Sequence, residues 1–246
     1  MLVPLPSQIT ESSPLFKARM AGFFWLMTII TGMFAFIAGG RLFVAGDAAT
    51  TAVNVMAHVA LYRLAFVSNL IATVCYLAVT LFVYLLLKPV NRRVALFGVF
   101  VSLIGCTVAP TGSLLFIAPL DILGSNQSLS GFTTAQLQAQ ALTFLTLSMQ
   151  VNDIGLVFFG CHVLSIGYLI RRSTFLPHWL GILLFIAGIC YLTNSFASFL
   201  DLPFKTYLPP FVAIGGLLGE GSLTGWFLVK GVNAERWKEF ATAAAK

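Results

Sequence analysis

The fold of this chain is decided by residues 150–172, which read QVNDIGLVFFGCHVLSIGYLIRR. Nearly every residue in this stretch is apolar, and the stretch exceeds the roughly 20 residues that an α-helix needs to cross a bilayer. Two arginines end it, while Asp153 and His162 interrupt its apolar pattern. A charged side chain is costly in hydrocarbon and typically faces a protein interior. The stretch therefore predicts a transmembrane helix whose polar face is covered by other helices.

The composition extends this interpretation to the whole chain. Of 246 residues, 59% are hydrophobic and only 9% are charged, whereas a soluble domain carries about 25% charged residues. We predict an all-α integral membrane bundle of six transmembrane helices in one domain over residues 17–233, between tails at 1–16 and 234–246. The six predicted spans are residues 20–39, 64–87, 94–118, 146–170, 178–199 and 209–229.

The basic residues predict the orientation of the bundle. With the N-terminus in the cytoplasm, 11 of the 14 lysines and arginines lie on the cytoplasmic side, and only Arg41, Arg63 and Lys205 lie outside. Such a bias favours cytoplasmic termini. Basic loops against anionic lipid also account for the net charge of +6. We therefore expect membrane lipid, and no nucleic acid, as a partner.

The first outer segment, residues 46–63, contains a helix signal. Gly46 supplies a turn and Asp47 an N-cap, and apolar residues then recur at helical spacing at Val53, Met56 and Ala60. We predict a short amphipathic helix on the outer surface.

The second outer segment, residues 119–133, is rich in glycine and serine and predicts a loop. Thr133 and Gln136 have the spacing of a capping box, so the fourth helix is expected to begin outside the bilayer.

Polar residues form one stripe on most of the predicted spans. At about 1.5 Å of rise per residue, Asn69, Asp153 and Asn194 lie in the outer half of the membrane, and Glu220 and His162 lie near its midplane. Burial of polar groups in lipid is costly, so the stripes are expected to converge. We predict a polar cavity that opens outward and is lined by Asn69, Thr73, Tyr76, Asp153, Asn194 and Glu220, with Arg63 at its mouth.

The two carboxylates, Asp153 and Glu220, are the strongest candidates for function, because a charge costs more to bury than an amide. Asn69 and Asn194 fit a structural hydrogen bond between helices equally well. Arg63 is expected to contact an acid, with Asp153 among the candidates. His162 lies on the opposite side of its helix from Asp153, which favours a packing role.

No metal site or cofactor is expected. The other two histidines, His58 and His178, fall on opposite sides of the membrane, and the four cysteines lie singly inside apolar runs. Common hydrolase, metalloprotease and nucleotide-binding motifs are absent from the sequence. No catalytic residue can be named.

Five segments of the sequence resemble the bacterial membrane family called domain of unknown function 4386. They are GDAATTAVNV (46–55), LLLKPVNRRVAL (85–96), NDIGLVFFGCHVLSIGYLI (152–170), LPHWLGILLFIAGICYL (176–192) and GEGSLTGWFLVKGVN (219–233). The resemblance extends over residues 17–233. It implies a multi-pass protein of the bacterial plasma (inner) membrane and implies no activity.

Three hypotheses for the function remain open. The first is a protein that binds or transports a small molecule in the outward-facing polar cavity, with a second copy of the chain as a further candidate partner. The second is an intramembrane enzyme that uses Asp153 and Glu220, together with His162 in one version. The third is a scaffold whose glycine-rich sixth span packs on another protein.

Overall fold

A computed structural model describes residues 13–124 and 131–243 of the chain. The described residues are connected helices and turns without a strand. In chain order the helices are α1 (Pro14–Leu42), α2 (Ala48–Ala57), α3 (Val59–Leu87), α4 (Arg92–Leu123), α5 (Thr134–Arg172), α6 (His178–Phe199), α7 (Pro209–Gly216), α8 (Ser222–Val229) and α9 (Ala234–Ala243).

Six helical segments of the described chain are long and apolar enough to cross a membrane, which confirms the predicted fold class. They are α1, α3, α4, α5, α6 and a composite segment, Lys205–Val229, that contains α7 and α8. The first two spans begin earlier than predicted, at Pro14 and Val59. The expected loop at 119–133 is wrong in its first part, because α4 continues to Leu123 and ends only at the turn-forming Gly124. Residues 125–130 lie outside the described part.

The spans alternate in direction, so their connections lie on two faces. We call the face that carries residues 88–91, 173–177 and 230–233 the terminal face, and the opposite face the distal face. Both described ends of the chain lie on the terminal face, where the Lys17 ammonium is 4.8 Å from the centroid of the Trp237 ring. This arrangement agrees with an even number of spans.

The distal face carries the amphipathic helix predicted from the sequence. Asp47 caps α2 by accepting a hydrogen bond from the Thr50 amide at 2.9 Å, and α2 buries Thr51 and Val55. The capping box of Thr133 and Gln136 begins α5 as predicted. The 39 residues of α5 correspond to about 58 Å of helix, which exceeds the roughly 30 Å hydrocarbon thickness of a bilayer.

Paired glycines bring α5 and α6 into close contact. A β-carbon at Gly160 would lie 3.2 Å from the Gly188 carbonyl oxygen, and one at Gly181 would lie 2.7 Å from the Gly167 carbonyl oxygen. The two glycines on each helix are seven residues apart, so they repeat on one face. Small residues at such positions let membrane helices approach closely. This contact sets the register in which the polar residues of α5 and α6 meet.

The sixth span departs from regular α-helix at its centre. A 3₁₀ turn at Lys205–Tyr207 leads into α7, and a π-helical turn at Leu217–Gly221 separates α7 from α8. The two halves have different neighbours. Gly215 in α7 lies against Cys190 of α6, and Gly22 of α1 faces Phe227 in α8. The π turn therefore lies where the span passes from one packing partner to another.

The last helix, α9, packs across the terminal face. Trp237 is buried and donates from Nε1 to the Leu86 carbonyl at 2.7 Å, near the end of α3. Arg236 donates to the Thr174 carbonyl at 3.2 Å, and the Phe175 and Phe240 rings are 6.0 Å apart. The sequence predicted only a tail over residues 234–246. Because α9 contacts three different helices or connections, it belongs to the packed structure of the bundle.

Candidate functional site

The Glu220 carboxylate lies on the π turn and is held from two sides. Trp25 Nε1 in α1 donates to Glu220 Oε2 at 2.8 Å, and the Tyr191 hydroxyl in α6 donates to Glu220 Oε1 at 2.6 Å. Gly216 lies directly beside the Tyr191 hydroxyl, so this position has no room for a side chain. Both oxygens of the carboxylate therefore have a donor, and neither donor carries a positive charge.

Tyr76 lies next to Trp25 and is bonded to His162. The Tyr76 and Trp25 rings pack edge to face, with centroids 6.2 Å apart. The Tyr76 hydroxyl and His162 Nδ1 form a buried hydrogen bond of 3.1 Å. We call Trp25, Tyr76, His162, Tyr191 and Glu220 the central cluster. Its members lie about 12–20 Å from the terminal face, counted along their helices at 1.5 Å per residue.

One buried hydroxyl beside the central cluster is unsatisfied. Thr224 follows Glu220 by four residues, so both project from one face of the sixth span. Its side chain is 2% exposed, and its Oγ1 has no hydrogen-bond partner. A buried hydroxyl without a partner is costly. The position next to Glu220 thus retains unused hydrogen-bonding capacity.

Asp153 belongs to a second group nearer the distal face. Its carboxylate accepts hydrogen bonds from Asn194 Nδ2 at 3.1 Å and from the Ser198 hydroxyl at 2.7 Å. Ser195 donates to the Asp153 backbone carbonyl at 2.8 Å. We call these four residues the distal cluster. Asp153 is partly exposed, and each of its carboxylate oxygens accepts one of these hydrogen bonds.

The remaining candidates from the sequence lie elsewhere. Asn69 donates to the Ser113 hydroxyl at 2.8 Å and joins α3 to α4, as expected for a structural bond between helices. The Thr73 hydroxyl donates to the Asn69 carbonyl within α3. Arg63 is exposed, and within the described chain it forms no ion pair with Asp153 or another acid. The seven predicted site residues therefore fall into separate groups, of which Glu220 with Tyr76 and Asp153 with Asn194 are two.

A narrow crevice lies between α3, α4 and α5. His162 forms part of its wall together with Gly98, and the ring carbon Cδ2 of His162 faces that glycine. Leu87, the last residue of α3, and Ala95, in the first turn of α4, also line the crevice. The crevice therefore extends from the level of His162 toward the terminal face.

Trp25 was not expected as a site residue from the sequence. The first predicted span is apolar on all sides, so the pattern did not indicate which face of it meets Glu220. Tyr191 was not selected either, although it lies in the same apolar run as Asn194. The π turn leaves no sequence signature except the glycines around Glu220. Among the described residues, no group of three or more His, Cys, Asp or Glu side chains could hold a metal ion.

Comparison with known proteins identifies the class. The model of the family described as Domain of unknown function (DUF4386) matches residues 20–231, and the chain belongs to this family of polytopic helical proteins. An uncharacterized protein of Archaeoglobus fulgidus is 31% identical over 100 residues, which is 41% of this chain and 56% of the relative. The chain thus spans little more than half of that relative's length. No solved structure matches the chain.

Proposed function

We propose that this protein is a carrier for a small polar molecule in the bacterial plasma membrane, and that Glu220 is its central binding group. The observation that supports the proposal most directly is the position of Glu220. Its two oxygens are held by residues of α1 and α6, at the turn where the sixth span departs from α-helical geometry. Interrupted helices with polar groups near the midplane are a recurrent feature of transporter sites.

The chemistry of the site defines a class of ligand. A carboxylate accepts hydrogen bonds and attracts positive charge, and the unsatisfied Thr224 hydroxyl can both donate and accept one. The ligand is therefore expected to carry a hydrogen-bond donor, as amines, polyols and amino acids do. In this structure Trp25 and Tyr191 donate hydrogen bonds to both carboxylate oxygens of Glu220. The ligand is therefore expected to replace at least one of these two donors.

Asp153 extends the proposal toward the distal face. Asp153 lies nearer the distal face than Glu220, and its side chain is partly exposed. Both acids were assigned to a single cavity from the sequence, whereas they have separate partners in the structure. We propose that they act as successive positions, with Asp153 as the outer one.

The two other hypotheses are less well supported. An acid and base pair made from Asp153 and Glu220 requires the two carboxylates at one substrate, but they belong to different clusters. A scaffold could use only part of the glycines of the sixth span, because Gly215 and Gly219 already contact Cys190 and Leu183 of α6, whereas Gly225 faces open space.

Location and assembly complete the proposal. The bias of basic residues favours cytoplasmic termini, so a reporter enzyme that works only outside the cell should be inactive when it is fused after Lys246. Activity of that fusion would show that the termini lie outside the cell.

Six spans leave little scope for alternating access within one chain, so we propose that the carrier works as a homo-oligomer.

Binding can be tested by native mass spectrometry of the protein in nanodiscs, incubated with a panel of amines, polyols and amino acids. We expect at least one compound to bind and the Glu220→Gln variant to lose it. Gly225→Ala is a suitable control, because nothing lies within 4 Å of a β-carbon at that position. Equal binding by wild type and Glu220→Gln would contradict the proposed site, and binding of no compound would contradict the ligand class.

A further inference from the structure

The distal cluster brings oxygen atoms of two helices into direct contact. The Ser198 hydroxyl oxygen lies 2.7 Å from Asp153 Oδ2, and the Ser195 hydroxyl oxygen lies 2.8 Å from the Asp153 backbone oxygen. The two Asp153 oxygens are five bonds apart, so covalent geometry holds both pairs close together. Cations of the size of calcium or sodium bind oxygens at about 2.3–2.6 Å and so bridge oxygens up to about 5 Å apart. Carboxylate, hydroxyl and carbonyl oxygens in this arrangement are ligands that such hard cations prefer.

The Asp153 carboxylate has no positively charged partner. Among the described residues, no lysine, arginine or histidine forms an ion pair with it. Its donors are the neutral Asn194 amide and Ser198 hydroxyl. Asp153 lies about 27 Å along α5 from Arg171, within the membrane-spanning part of the helix. An uncompensated carboxylate is costly there, so a bound cation would stabilise this part of the bundle.

The hydrogen bonds of Ser195 allow its oxygen to bind a cation. The side chain is fully buried, and its hydroxyl lies 2.8 Å from the Asp153 carbonyl oxygen and 3.1 Å from the Tyr191 carbonyl oxygen. A hydroxyl has one hydrogen to donate and two lone pairs that accept. When a cation binds beside the Asp153 carbonyl, the hydrogen is donated to Tyr191, and a lone pair of Ser195 is directed to the ion.

The charge of the distal cluster selects the valence of the cation. One carboxylate balances one positive charge, whereas a divalent ion would leave a net charge within the membrane. Within the part of the chain that the structure describes, no group of three or more His, Cys, Asp or Glu could hold a metal ion, and divalent sites usually use several such ligands. The oxygen separations of 2.7 and 2.8 Å favour sodium over the larger potassium ion.

We propose that the distal cluster binds a sodium ion between Asp153, Ser195 and Ser198. The inference rests on the proposed function, because it names what occupies the outer position while the ligand is bound at Glu220. The protein ligands are Asp153 Oδ2, the Asp153 backbone oxygen and the two serine hydroxyl oxygens. The Asn194 amide keeps its bond to Oδ1 and orients the carboxylate. Water completes the coordination shell on the side where Asp153 is partly exposed.

The sodium site is connected to Glu220 through α6. Ser195 follows Tyr191 by one helical turn and donates to its carbonyl, and the Tyr191 hydroxyl donates to the Glu220 carboxylate. A sodium ion bound by Ser195 therefore restrains the turn of α6 that also holds the central binding group. Binding of the ion and order around Glu220 are thus expected to support each other.

The test is thermal unfolding of the protein in nanodiscs without ligand, in sodium, potassium or choline chloride at one ionic strength. We expect sodium to raise the unfolding temperature above that in choline, since an ion that binds only the folded state stabilises it. Asp153→Asn should abolish this shift. Ser198→Ala should raise the sodium concentration that gives half of the shift about tenfold or more, because it removes one ligand.

The matched control is Asp121→Asn, which makes the same change as Asp153→Asn at an exposed acid near the distal face. This variant should keep the sodium shift. Glu220→Gln should keep it as well, because its carboxylate is not a ligand of the ion. Loss of the shift in Glu220→Gln would place the ion at Glu220 and overturn the site.

The remaining outcomes decide the site and the ion separately. Equal unfolding temperatures in sodium and choline, or a sodium shift that persists in Asp153→Asn, would overturn the site. Equal effects of sodium and potassium at each concentration would overturn the choice of ion. If Asp153→Asn does not fold, an unchanged half-shift concentration in Ser198→Ala overturns the site instead. No ligand is present in these measurements, so the ligand-binding test still decides the proposed function by itself.

Discussion

Glu220 shows how single residues make a half-buried carboxylate tolerable within a membrane span. A hydrogen bond to a charged group contributes about 1.5–3 kcal/mol, and Glu220 accepts two, from Trp25 and Tyr191. Each donor depends on the space around it. The Tyr191 hydroxyl has that space only because residue 216 is a glycine.

This dependence makes Gly216→Ala an informative substitution. An alanine in a helix is ordinarily more stable than glycine by about 0.5–1 kcal/mol. Here the methyl group would overlap the Tyr191 hydroxyl, so we expect a net loss of about 1–3 kcal/mol, as for other overpacked sites. The loss can be measured by thermal unfolding in nanodiscs.

The double variant Gly216→Ala/Tyr191→Phe identifies the cause. Removal of the hydroxyl also removes the overlap, so the two changes together should destabilise the protein by less than the sum of the single losses. Additive losses would show that the alanine acts elsewhere. Gly225→Ala, on the open side of α8, should be neutral or slightly stabilising.

The sequence identified the acceptors of the site better than the donors. Glu220 and Asp153 are conspicuous because charged groups are rare in apolar runs. Trp25 is not, because an aromatic residue in such a run usually packs against lipid or other helices. Arg63 was placed at the mouth of a cavity from its depth and from its position on the helix relative to Asn69. In the structure its side chain is exposed.

At the level of helices, the contact between α5 and α6 follows a seven-residue repeat. Gly167 faces Gly181, Gly160 faces Gly188, and one further step along the same register brings Asp153 to Ser195. The seven-residue spacing of Gly160 and Gly167 was visible in the sequence together with Asp153. Their partners were not, because spacing along one helix does not specify the register of the next.

We expect Gly181→Ala to disrupt this contact. The added methyl would lie 2.7 Å from the Gly167 carbonyl oxygen, and a backbone atom cannot move aside without shifting its helix. Separation of α5 from α6 should destabilise the protein by about 1–3 kcal/mol and weaken the hydrogen bonds of Asp153. The loss can be measured by thermal unfolding.

Gly155→Ala provides the comparison on α5. A β-carbon there has its nearest neighbour at 3.8 Å, which is an ordinary contact. Equal effects of the two substitutions would show that the close approach at Gly181 does not limit stability.

For the whole molecule, six apolar runs were sufficient to predict six spans, because length and hydropathy determine which segments can cross a bilayer. The position of α9 could not be predicted in this way. Its ten residues are short and mixed in polarity, and its docking depends on a carbonyl near the end of α3 and on the connection between α5 and α6.

The contribution of α9 can be measured through Trp237. Trp237→Phe keeps an aromatic ring but removes the bond to the Leu86 carbonyl, so we expect a loss of about 1–3 kcal/mol for the unsatisfied group. Trp237→Ala should cost more, about 3–5 kcal/mol, because it also leaves a cavity. The losses are measured by thermal unfolding. Glu239→Ala, which changes an exposed residue of the same helix, is the control for a general effect on α9. Losses of equal size at both positions would contradict docking through Trp237.

The change of packing partner along the sixth span has a thermodynamic consequence. The half formed by α7 is attached to α6, the half formed by α8 is attached to α1, and Glu220 at the junction is bonded to both neighbours. A displacement of α1 relative to α6 must therefore alter at least one of the two bonds to the carboxylate. Linkage is reciprocal, so a displacement that changes the free energy of ligand binding at Glu220 is itself changed by the same free energy when the ligand binds.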